Sequence, residues 1–386
     1  MKLLDLEQER VAKNLGDGHR LFFGVAGSGK TILLIARARY LAIKHSDWRI
    51  LILCYNKPLS KYLFRLLEPQ KYKCPPHIYT FHGWAQEQIM SAGPPYNRRF
   101  MQQKEKYGFD ITQFFNYIVP DLLKQVMAEK GLAKYDAILV DEAQDFEPSW
   151  FEVVIQFLNP ATNSLLITCD GVQGIYERRR FHWADVGIRA QGRSIKLRKA
   201  YRNPAEIGKL ASHVLPKDLL ERIDTQDEFL STEEYLRSGG NVELIVKQNR
   251  ETEYSFIIDK IKEYQQKNQS IIIIFQHKFQ PPFDDDPFLK SIRDHKLRWA
   301  TLDKFGISSR NILIGTPQRT KGLESDVVII PELDTYSSAS QHVLLYVGMT
   351  RALHSLLLTA DKETALIKSL QQFQGVRGNN STGRIA

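Results

Sequence analysis

Residues Gly24–Thr31 read GVAGSGKT, and this octapeptide constrains the fold of the chain more strongly than its composition does. It follows the apolar run Leu21–Phe23 and precedes the apolar, alanine-containing stretch Ile32–Ala42. That order predicts a strand, a glycine-rich loop and a helix. The glycines let successive backbone N–H groups point inward at a helix N-terminus, where they bind phosphate. The sequence therefore predicts a phosphate loop in an α/β domain.

Each polar residue of this loop has an expected role toward a nucleotide. Lys30 is expected to reach the β and γ phosphates, and Thr31 to place its hydroxyl on Mg²⁺. The other nucleotide contacts predicted within the loop are Gly24, Gly27, Ser28 and Gly29. A glycine-rich turn with an exposed lysine is the alternative, and the flanking strand and helix argue against it.

The segment Ala137–Asp145 reads AILVDEAQD, an apolar strand that ends on two adjacent carboxylates. Open α/β sheets bind ligands at the carboxyl ends of their strands. Mg²⁺ on a nucleoside triphosphate needs a carboxylate partner, and hydrolysis needs a water positioned by a base. We assign Asp141 to the metal and Glu142 to the attacking water. A solvated acidic turn is the alternative. The two motifs by themselves predict an NTPase.

Short runs rich in Ile, Leu and Val alternate with helical spacing, which is typical of a parallel sheet with crossover helices. The strands predicted in the first half are Arg20–Gly24, Ile50–Cys54, Ile78–Phe81, Ala137–Val140 and Leu165–Thr168. Those predicted in the second half are Val242–Val246, Ser270–Phe275, Asn311–Ile314, Val327–Ile330 and Ser355–Thr359, with a helix at Glu253–Gln266. The predicted fold class is α/β, and a length of 386 residues favours two domains.

The predicted domains meet near Ile195–Arg198, so that the first covers 1–196 and the second 197–370. A polar, aromatic insert at about 86–134 is predicted to be a small helical elaboration of the first domain. The polar, glycine-rich tail 371–386 is predicted to be disordered. No apolar run approaches the roughly 20 residues that span a bilayer, and the N-terminus lacks a secretory signal. We therefore expect a cytoplasmic protein with no membrane partner.

Charge points to a polyanionic partner. Lys and Arg number 53 against 44 Asp and Glu, which gives a net charge of +9. The stretch 177–202 contains nine cationic residues and only two acidic ones. Such a local field favours nucleic acid through counterion release, although basic proteins that bind no nucleic acid have similar averages.

Eight short segments then follow one another along the chain: Gln8 in LDLEQERV, ILCYNKPL (52–59), YTFHGWA (79–85), DEAQD (141–145), CDGVQGIY (169–176), KAYRNP (199–204), TKGLESDVV (320–328) and LLYVGMTRA (344–352). In this order they resemble the motifs of superfamily 1 helicases of the UvrD/Rep type. The resemblance covers residues from Gln8 to about Thr359. It implies two tandem RecA-like P-loop domains with parallel sheets, a small helical insertion in the first, and ATP hydrolysis with Mg²⁺ at the cleft between them.

The resemblance also implies roles at the nucleotide. Gln8 recognises adenine, and Gln173 senses the γ-phosphate. Arg202 and Arg351 are the two arginines on the γ-phosphate, where such a charge contributes about 10³ to 10⁵ in rate. The further nucleotide contacts that it implies are Tyr201, Gly322 and Glu324.

DNA contacts follow from the same resemblance. They are Tyr55, Asn56, Thr80, His82 and Trp183. His82 is equally well interpreted as a structural, hydrogen-bonding histidine. Trp183 is equally well interpreted as a residue of the hydrophobic core. Gln318 and Ser325 replace the histidine and phenylalanine that the family has around KGLE, which weakens the implied link between nucleotide and DNA there.

The chain resembles a compact form that lacks the large accessory insertions, similar to the motor half of helicases joined to a nuclease-related domain. We expect a 3′–5′ ATP-dependent translocase or helicase on single-stranded DNA or a single-strand/duplex junction, with a nuclease or other effector protein as a candidate partner. Two alternatives stay open. One is an RNA-directed motor, and the other is a nucleic-acid-gated ATPase switch that recruits an effector without unwinding.

Overall fold

The computed structural model describes residues 12–13, 15–16, 18–108, 110–170, 181–217, 219, 232, 234–277, 285–302, 312–373 and 377–378. Their contacts divide the chain into two units. The first runs to Leu197 and the second begins at Arg198, and the three residues Ala26–Ser28 group with the second. No helix of the described part is long and apolar enough to cross a membrane.

The first unit is built on a six-stranded parallel sheet. Its strands are β1 (His19–Gly24), β2 (Ile50–Cys54), β3 (His77–Thr80), β4 (Ala137–Val140), β5 (Ser164–Asp170) and β6 (Ser194–Leu197). Their order in the sheet is β3-β2-β4-β5-β1-β6. The strand before the phosphate loop, β1, and the strand before the two carboxylates, β4, therefore both pair with β5.

Helices cover both faces of this sheet. They are α1 (Lys30–Lys44), α2 (Lys57–Leu67), α3 (Phe81–Ser91), α4 (Tyr96–Tyr107), α5 (Val119–Lys130) and α6 (Pro148–Gln156). Side chains of a strand alternate between faces, and Phe22 packs with α1 and α2, whereas Leu21 and Phe23 pack with the other four helices. Because both faces are covered, β2, β4 and β5 are buried along their whole length, and β2 and β4 are continuous apolar runs.

The second unit contains a seven-stranded parallel sheet. Its strands are β9 (Asn241–Val246), β10 (Ile271–Ile274), β11 (Trp299–Thr301), β12 (Ile312–Gly315), β13 (Ser325–Ile330), β14 (Ala352–Ala360) and β15 (Arg377–Gly378), and a separate two-stranded sheet joins β7 (Lys199–Ala200) to β8 (Glu234–Tyr235). The order of the large sheet is β11-β12-β10-β13-β14-β9-β15. The helices are α7 (Ala205–His213), α8 (Arg250–Gln266), α9 (Pro287–Asp294), α10 (Ala339–Met349) and α11 (Ala365–Gln371).

The predicted α/β class with parallel sheets is confirmed. Each predicted strand is present, with ends that differ by at most three residues. The predicted helix at Glu253–Gln266 begins earlier, at Arg250, because Asn249 and Thr252 form a capping box at its start. The sequence did not predict β6, β7, β8, β11 or β15, which are short and carry little apolar pattern.

The predicted disorder of the tail 371–386 needs correction at two points. Gln371 ends helix α11. Arg377 and Gly378 pair in parallel with Glu243 and Leu244 of β9. Without that pairing β9 would be the edge strand of the sheet, with unpaired backbone groups on that side.

Candidate active site

The phosphate loop joins β1 to α1, and its backbone conformation depends on glycine. Gly27 and Gly29 both adopt positive φ, at 75° and 86°. Residues with a side chain rarely adopt this region. Gly29 is the N-cap of α1 and supplies no side-chain cap, so the first N–H groups of the helix are available to an anion. The loop, in which Ser28 is buried, fits a phosphate group.

Lys30 lies at the base of the loop with only 7% of its surface exposed. Its Nζ donates hydrogen bonds to the carbonyl oxygens of Gly24 at 2.7 Å and Val25 at 3.0 Å. It also lies 3.3 Å from Oδ2 of Asp170, the last residue of β5. These three acceptors match the three N–H donors of the ammonium, so a phosphate oxygen has to replace one of them when Lys30 contacts a nucleotide.

Asp141, the first residue after β4, is fully buried and accepts two hydroxyl hydrogen bonds. Thr31 Oγ1 donates to its Oδ2 at 2.9 Å, and Thr168 Oγ1 donates to its Oδ1 at 2.5 Å. Burial, together with the neighbouring charge of Glu142, raises the pKa of Asp141 to about 6. Hydroxyl and carboxylate oxygens are the ligands that Mg²⁺ prefers.

The described residues contain no group of three or more His, Cys, Asp and Glu that could hold a metal by itself. Mg²⁺ is commonly bound through one or two protein oxygens together with substrate phosphates. Thr31 and Asp141 therefore fit a magnesium ion that arrives with a nucleotide.

Glu142 follows in the left-handed region, with φ of 53°. A residue other than glycine in that region costs of order 1 kcal/mol, and such strain concentrates at functional sites. Gln144 Nε2 donates to Oε2 of Glu142, while Gln144 Oε1 accepts the backbone N–H of Asp170 at 2.9 Å. Gln144 thus ties the carboxylate of Glu142 to the end of β5.

Sequence reasoning missed Gln144, Thr168 and Asp170 as members of this cluster. The available signal was position, because Thr168 and Asp170 lie at the carboxyl end of β5 and Gln144 lies in the turn after β4. These are the neighbouring strand ends at which open parallel sheets bind ligands.

In the second unit, three of the quoted segments come together. Arg202 Nε lies 2.9 Å from Oε2 of Glu324. Asn203, which sequence reasoning did not single out, is buried, and its Nδ2 donates to the carbonyl oxygens of Thr350 at 3.0 Å and Ala352 at 2.9 Å. Asn203 therefore holds the segment KAYRNP against the segment LLYVGMTRA.

Arg351 is buried, with 2% of its surface exposed. Its Nε donates to the carbonyl of Val347 at 2.9 Å, and its Nη2 lies 3.1 Å from Thr350 Oγ1. Its carbonyl accepts the N–H of Ser325 at 3.1 Å, next to Glu324. Of the other predicted residues here, Tyr201 is half-buried, and Gly322 has a positive φ of 76°.

Three of the predicted DNA contacts lie at the carboxyl ends of the adjacent strands β2 and β3. Asn56 Oδ1 accepts the N–H of Leu59 at 2.8 Å and caps α2. Thr80 Oγ1 accepts the N–H of Gly83 at 3.2 Å and caps α3. Tyr55 is 39% exposed beside them. Two capped helix N-termini and an exposed ring therefore share one edge of the sheet.

His82 and Trp183 differ from the other predicted DNA residues in their burial. The His82 ring packs edge-on against Phe115 at 4.2 Å, and burial lowers its pKa to about 4. Trp183 is only 8% exposed and packs against Phe151 and Phe23. The core interpretation of Trp183 is the one that its packing supports, because a ring buried on this scale cannot stack on a base.

Two predicted residues, Gln8 and Gln173, lie outside the described residues, as does the arginine run 178–180.

Comparison with known families agrees with the order of the motifs. Residues 7–179 match an AAA domain, and residues 311–359 match the UvrD-like helicase C-terminal domain. The second match is to the same type of helicase that the quoted segments resemble. The first match contains the phosphate loop and the DEAQD segment, and the second contains TKGLESDVV and LLYVGMTRA.

Individual relatives match only part of the chain. A protein of Mycoplasma pneumoniae named "Probable DNA helicase II homolog" is 29% identical over 124 residues, which are 31% of this chain and 16% of the relative. Among solved structures, the C-terminal domain of a possible DNA helicase from Lactobacillus plantarum aligns with 47% of this chain and 99% of its own at 17% identity, with a TM-score of 0.37.

The burial of His82 predicts a pH-dependent stability. Its pKa is about 4 when folded against an ordinary 6.5, so the unfolded chain binds the proton first as pH falls. The free energy of unfolding should therefore drop by about 2 kcal/mol between pH 7 and pH 5 through this group. Urea unfolding of wild type and His82→Phe at pH 7 and pH 5 gives the change in the free energy of unfolding for each protein. The difference between the two changes is the contribution of His82. The exposed His182→Gln is the control, and equal pH dependence in wild type and His82→Phe would contradict the prediction.

Proposed function

We propose that the chain is an ATP-dependent motor that moves 3′–5′ along single-stranded DNA. The observation that carries the hydrolytic part is the buried cluster at the phosphate loop, where Lys30 meets Asp170 and Thr31 meets Asp141. These contacts join the loop to two strand ends that lie more than a hundred residues away in sequence.

Each residue of the cluster has a role that follows from its contacts. Lys30 neutralises phosphate charge, and Thr31 with Asp141 holds the metal. Mg²⁺, when bound, stabilises the charge that develops on the phosphoryl oxygens. Glu142 orients the attacking water, and Gln144 fixes the carboxylate in place through the hydrogen bond to its Oε2.

The second unit supplies two cations in this proposal. Arg202 and Arg351 contact the γ-phosphate, with Tyr201, Gly322 and Glu324 as further nucleotide contacts. Arg202 is held by Glu324, and Arg351 by the carbonyl of Val347, so contacts within the second unit position both side chains. Gln8 recognises adenine and Gln173 senses the γ-phosphate in the same proposal.

The single strand follows the edge of the first sheet that carries Tyr55, Asn56 and Thr80. Helices α2 and α3 begin there, and the positive ends of their dipoles favour a phosphate, although Asn56 and Thr80 already accept one N–H of each helix. The ring of Tyr55 stacks on a base, which contributes about 1 to 3 kcal/mol. In this proposal His82 contacts the strand through an uncharged ring, because its low pKa keeps it neutral near pH 7.

Single-stranded DNA should stimulate the ATPase in a salt-dependent way. Each phosphate that the protein neutralises contributes a slope of about −0.7 to a plot of log affinity against log salt. Titration of the ATPase with oligo-dT at several salt concentrations measures this slope, and oligo-U of the same length is the control. Stimulation by RNA alone would replace the DNA proposal with the RNA-directed motor.

The direction of movement along the strand is tested by a separate experiment. A 3′–5′ motor moves toward the 5′ end of the strand. We therefore expect efficient ATP-driven displacement of streptavidin from a 5′-biotinylated strand and poor displacement from a 3′-biotinylated strand. A preference for the 3′-biotinylated strand would mean 5′–3′ travel. An ATPase that DNA stimulates fully but that displaces streptavidin from neither end would favour the effector-recruiting switch.

A further inference from the structure

The first unit contains a cavity of about 510 Å³ at the amino ends of its strands. The lining residues that matter are Gly18, Lys44, His45, Trp48, Asn163 and Arg193. Strands β1, β5 and β6 begin beside it, whereas the phosphate loop follows the carboxyl end of β1. The six residues of β1 span about 20 Å. The cavity is therefore separate from the phosphate loop and from the strand edge that carries Tyr55.

Arg193 is built into one wall of this cavity. Gly18 has a φ of 87°, and a Cβ there would lie 2.0 Å from Nη1 of Arg193. This φ favours glycine, and the guanidinium lies in the space that a side chain would take. The backbone of Arg193 is tied down as well, since its N–H donates to Ala190 at 2.9 Å and its carbonyl accepts from Leu21 at 3.2 Å. Lys44 adds a second cation, and none of the lining residues that the structure describes is acidic.

Asn163 is oriented by a buried histidine. His19 Nδ1 accepts the N–H of Arg189 at 3.0 Å, so its Nε2 carries the proton and donates to Asn163 Oδ1 at 2.9 Å. Burial lowers the pKa of His19, which keeps this neutral form. With Oδ1 engaged, the amide Nδ2 of Asn163 is the group that can donate to a ligand.

A flat aromatic pair completes the cavity. The rings of His45 and Trp48 are stacked, with centroids 3.9 Å apart and planes within 9°. The N–H of Trp48 donates to the carbonyl of His45 at 3.1 Å, so a turn holds the pair together after α1. Planar bases of any sequence stack on such rings.

We propose that this cavity binds one nucleotide unit, with its base on the Trp48–His45 pair and its phosphate between Lys44 and Arg193. An anchored arginine, a second cation, an oriented amide donor and a planar stack favour a nucleotide over a bare anion or a polyglutamate peptide, neither of which has a ring to stack. The volume lies within the roughly 300 to 1,000 Å³ of small-molecule sites. The nucleotide is either free or part of a bound strand, and the site does not depend on hydrolysis at the phosphate loop.

Fluorine NMR of the protein labelled with 5-fluorotryptophan tests the proposal at a single residue. The chain has five tryptophans, and the Trp48 signal is assigned by its loss in Trp48→Phe. Titrations with AMP, hexathymidylate and inorganic phosphate are made in a Lys30→Ala background, so that binding at the phosphate loop does not contribute. AMP or hexathymidylate should shift the Trp48 signal, and phosphate should not. A shift by AMP identifies a free nucleotide, and a shift by hexathymidylate alone identifies a strand.

A second experiment compares a variant that lacks the two cations of the cavity with a variant that lacks two cations elsewhere on the first unit. Lys44→Gln with Arg193→Gln should weaken the titration midpoint at least about tenfold, as expected when charge-assisted phosphate contacts are lost. Arg98→Gln with Lys104→Gln removes two exposed cations from α4 and should leave the midpoint unchanged. An unshifted Trp48 signal, a shift produced by inorganic phosphate or hexaglutamate but by neither nucleotide, or a midpoint insensitive to Lys44 and Arg193 would overturn the proposal.

Discussion

Glu142→Gln should fold, bind ATP and hydrolyse it about 10² to 10⁴ times more slowly than wild type, the range lost when a positioned base is removed. The amide has nearly the shape of the carboxylate, so the turn with φ of 53° and the contact with Gln144 are expected to survive. What is lost is the negative oxygen that orients the water. Single-turnover hydrolysis and equilibrium nucleotide binding separate these two effects.

The control for this variant is Glu147→Gln, which removes a carboxylate five residues away at the start of α6 and should retain the ATPase. Lys30→Ala should also abolish hydrolysis, but it takes a partner from the buried Asp170 and should lower the free energy of unfolding as well. Glu142→Gln is therefore the cleaner test of chemistry. Substantial ATPase in Glu142→Gln would remove the assignment of the base.

Arg351→Ala and Arg202→Ala should lower kcat by about 10³-fold or more while changing ATP affinity little. Arginines that stabilise a transferring phosphoryl group contribute about 10³ to 10⁵ in rate, and they do so most strongly in the transition state. Steady-state kcat beside equilibrium ATP binding measures the split.

Conservative variants separate chemistry from folding. Arg351 is buried, so Arg351→Lys keeps the charge in place while it removes the planar fork, and it should recover little of the rate. Arg293→Ala removes an exposed arginine of α9 in the same unit and should leave kcat unchanged. Weakened ATP binding with an unchanged kcat would show that these arginines bind the ground state instead.

The α/β class and the phosphate loop were predictable because their determinants are local. Gly27 and Gly29 allow the positive φ that the loop adopts, and the apolar runs on either side form a strand and a helix from their own periodicity. The two carboxylates after β4 were visible for the same reason, since a buried strand that ends on adjacent acids can be read from a few residues.

Whether a side chain beyond the end of a strand is buried could not be predicted from the local sequence. The environments of His82 and Trp183 depend on Phe115 and Phe151, which are distant from them in sequence. Strand β15 depends in the same way on the open edge of β9. Sequence periodicity predicts which face of an element is apolar, but not which distant side chain covers its end.

The sequence by itself determined the class of the fold, the phosphate loop and the positions of Asp141 and Glu142, because each depends on residues adjacent in the chain. Tertiary structure alone decided that Asp170 pairs with Lys30 across 140 residues, that Gln144 bridges Glu142 to β5, and that Arg193 lies over Gly18. These contacts depend on the order of strands in the sheet, β4-β5-β1-β6. That order arises when whole elements pack, and no local pattern encodes it.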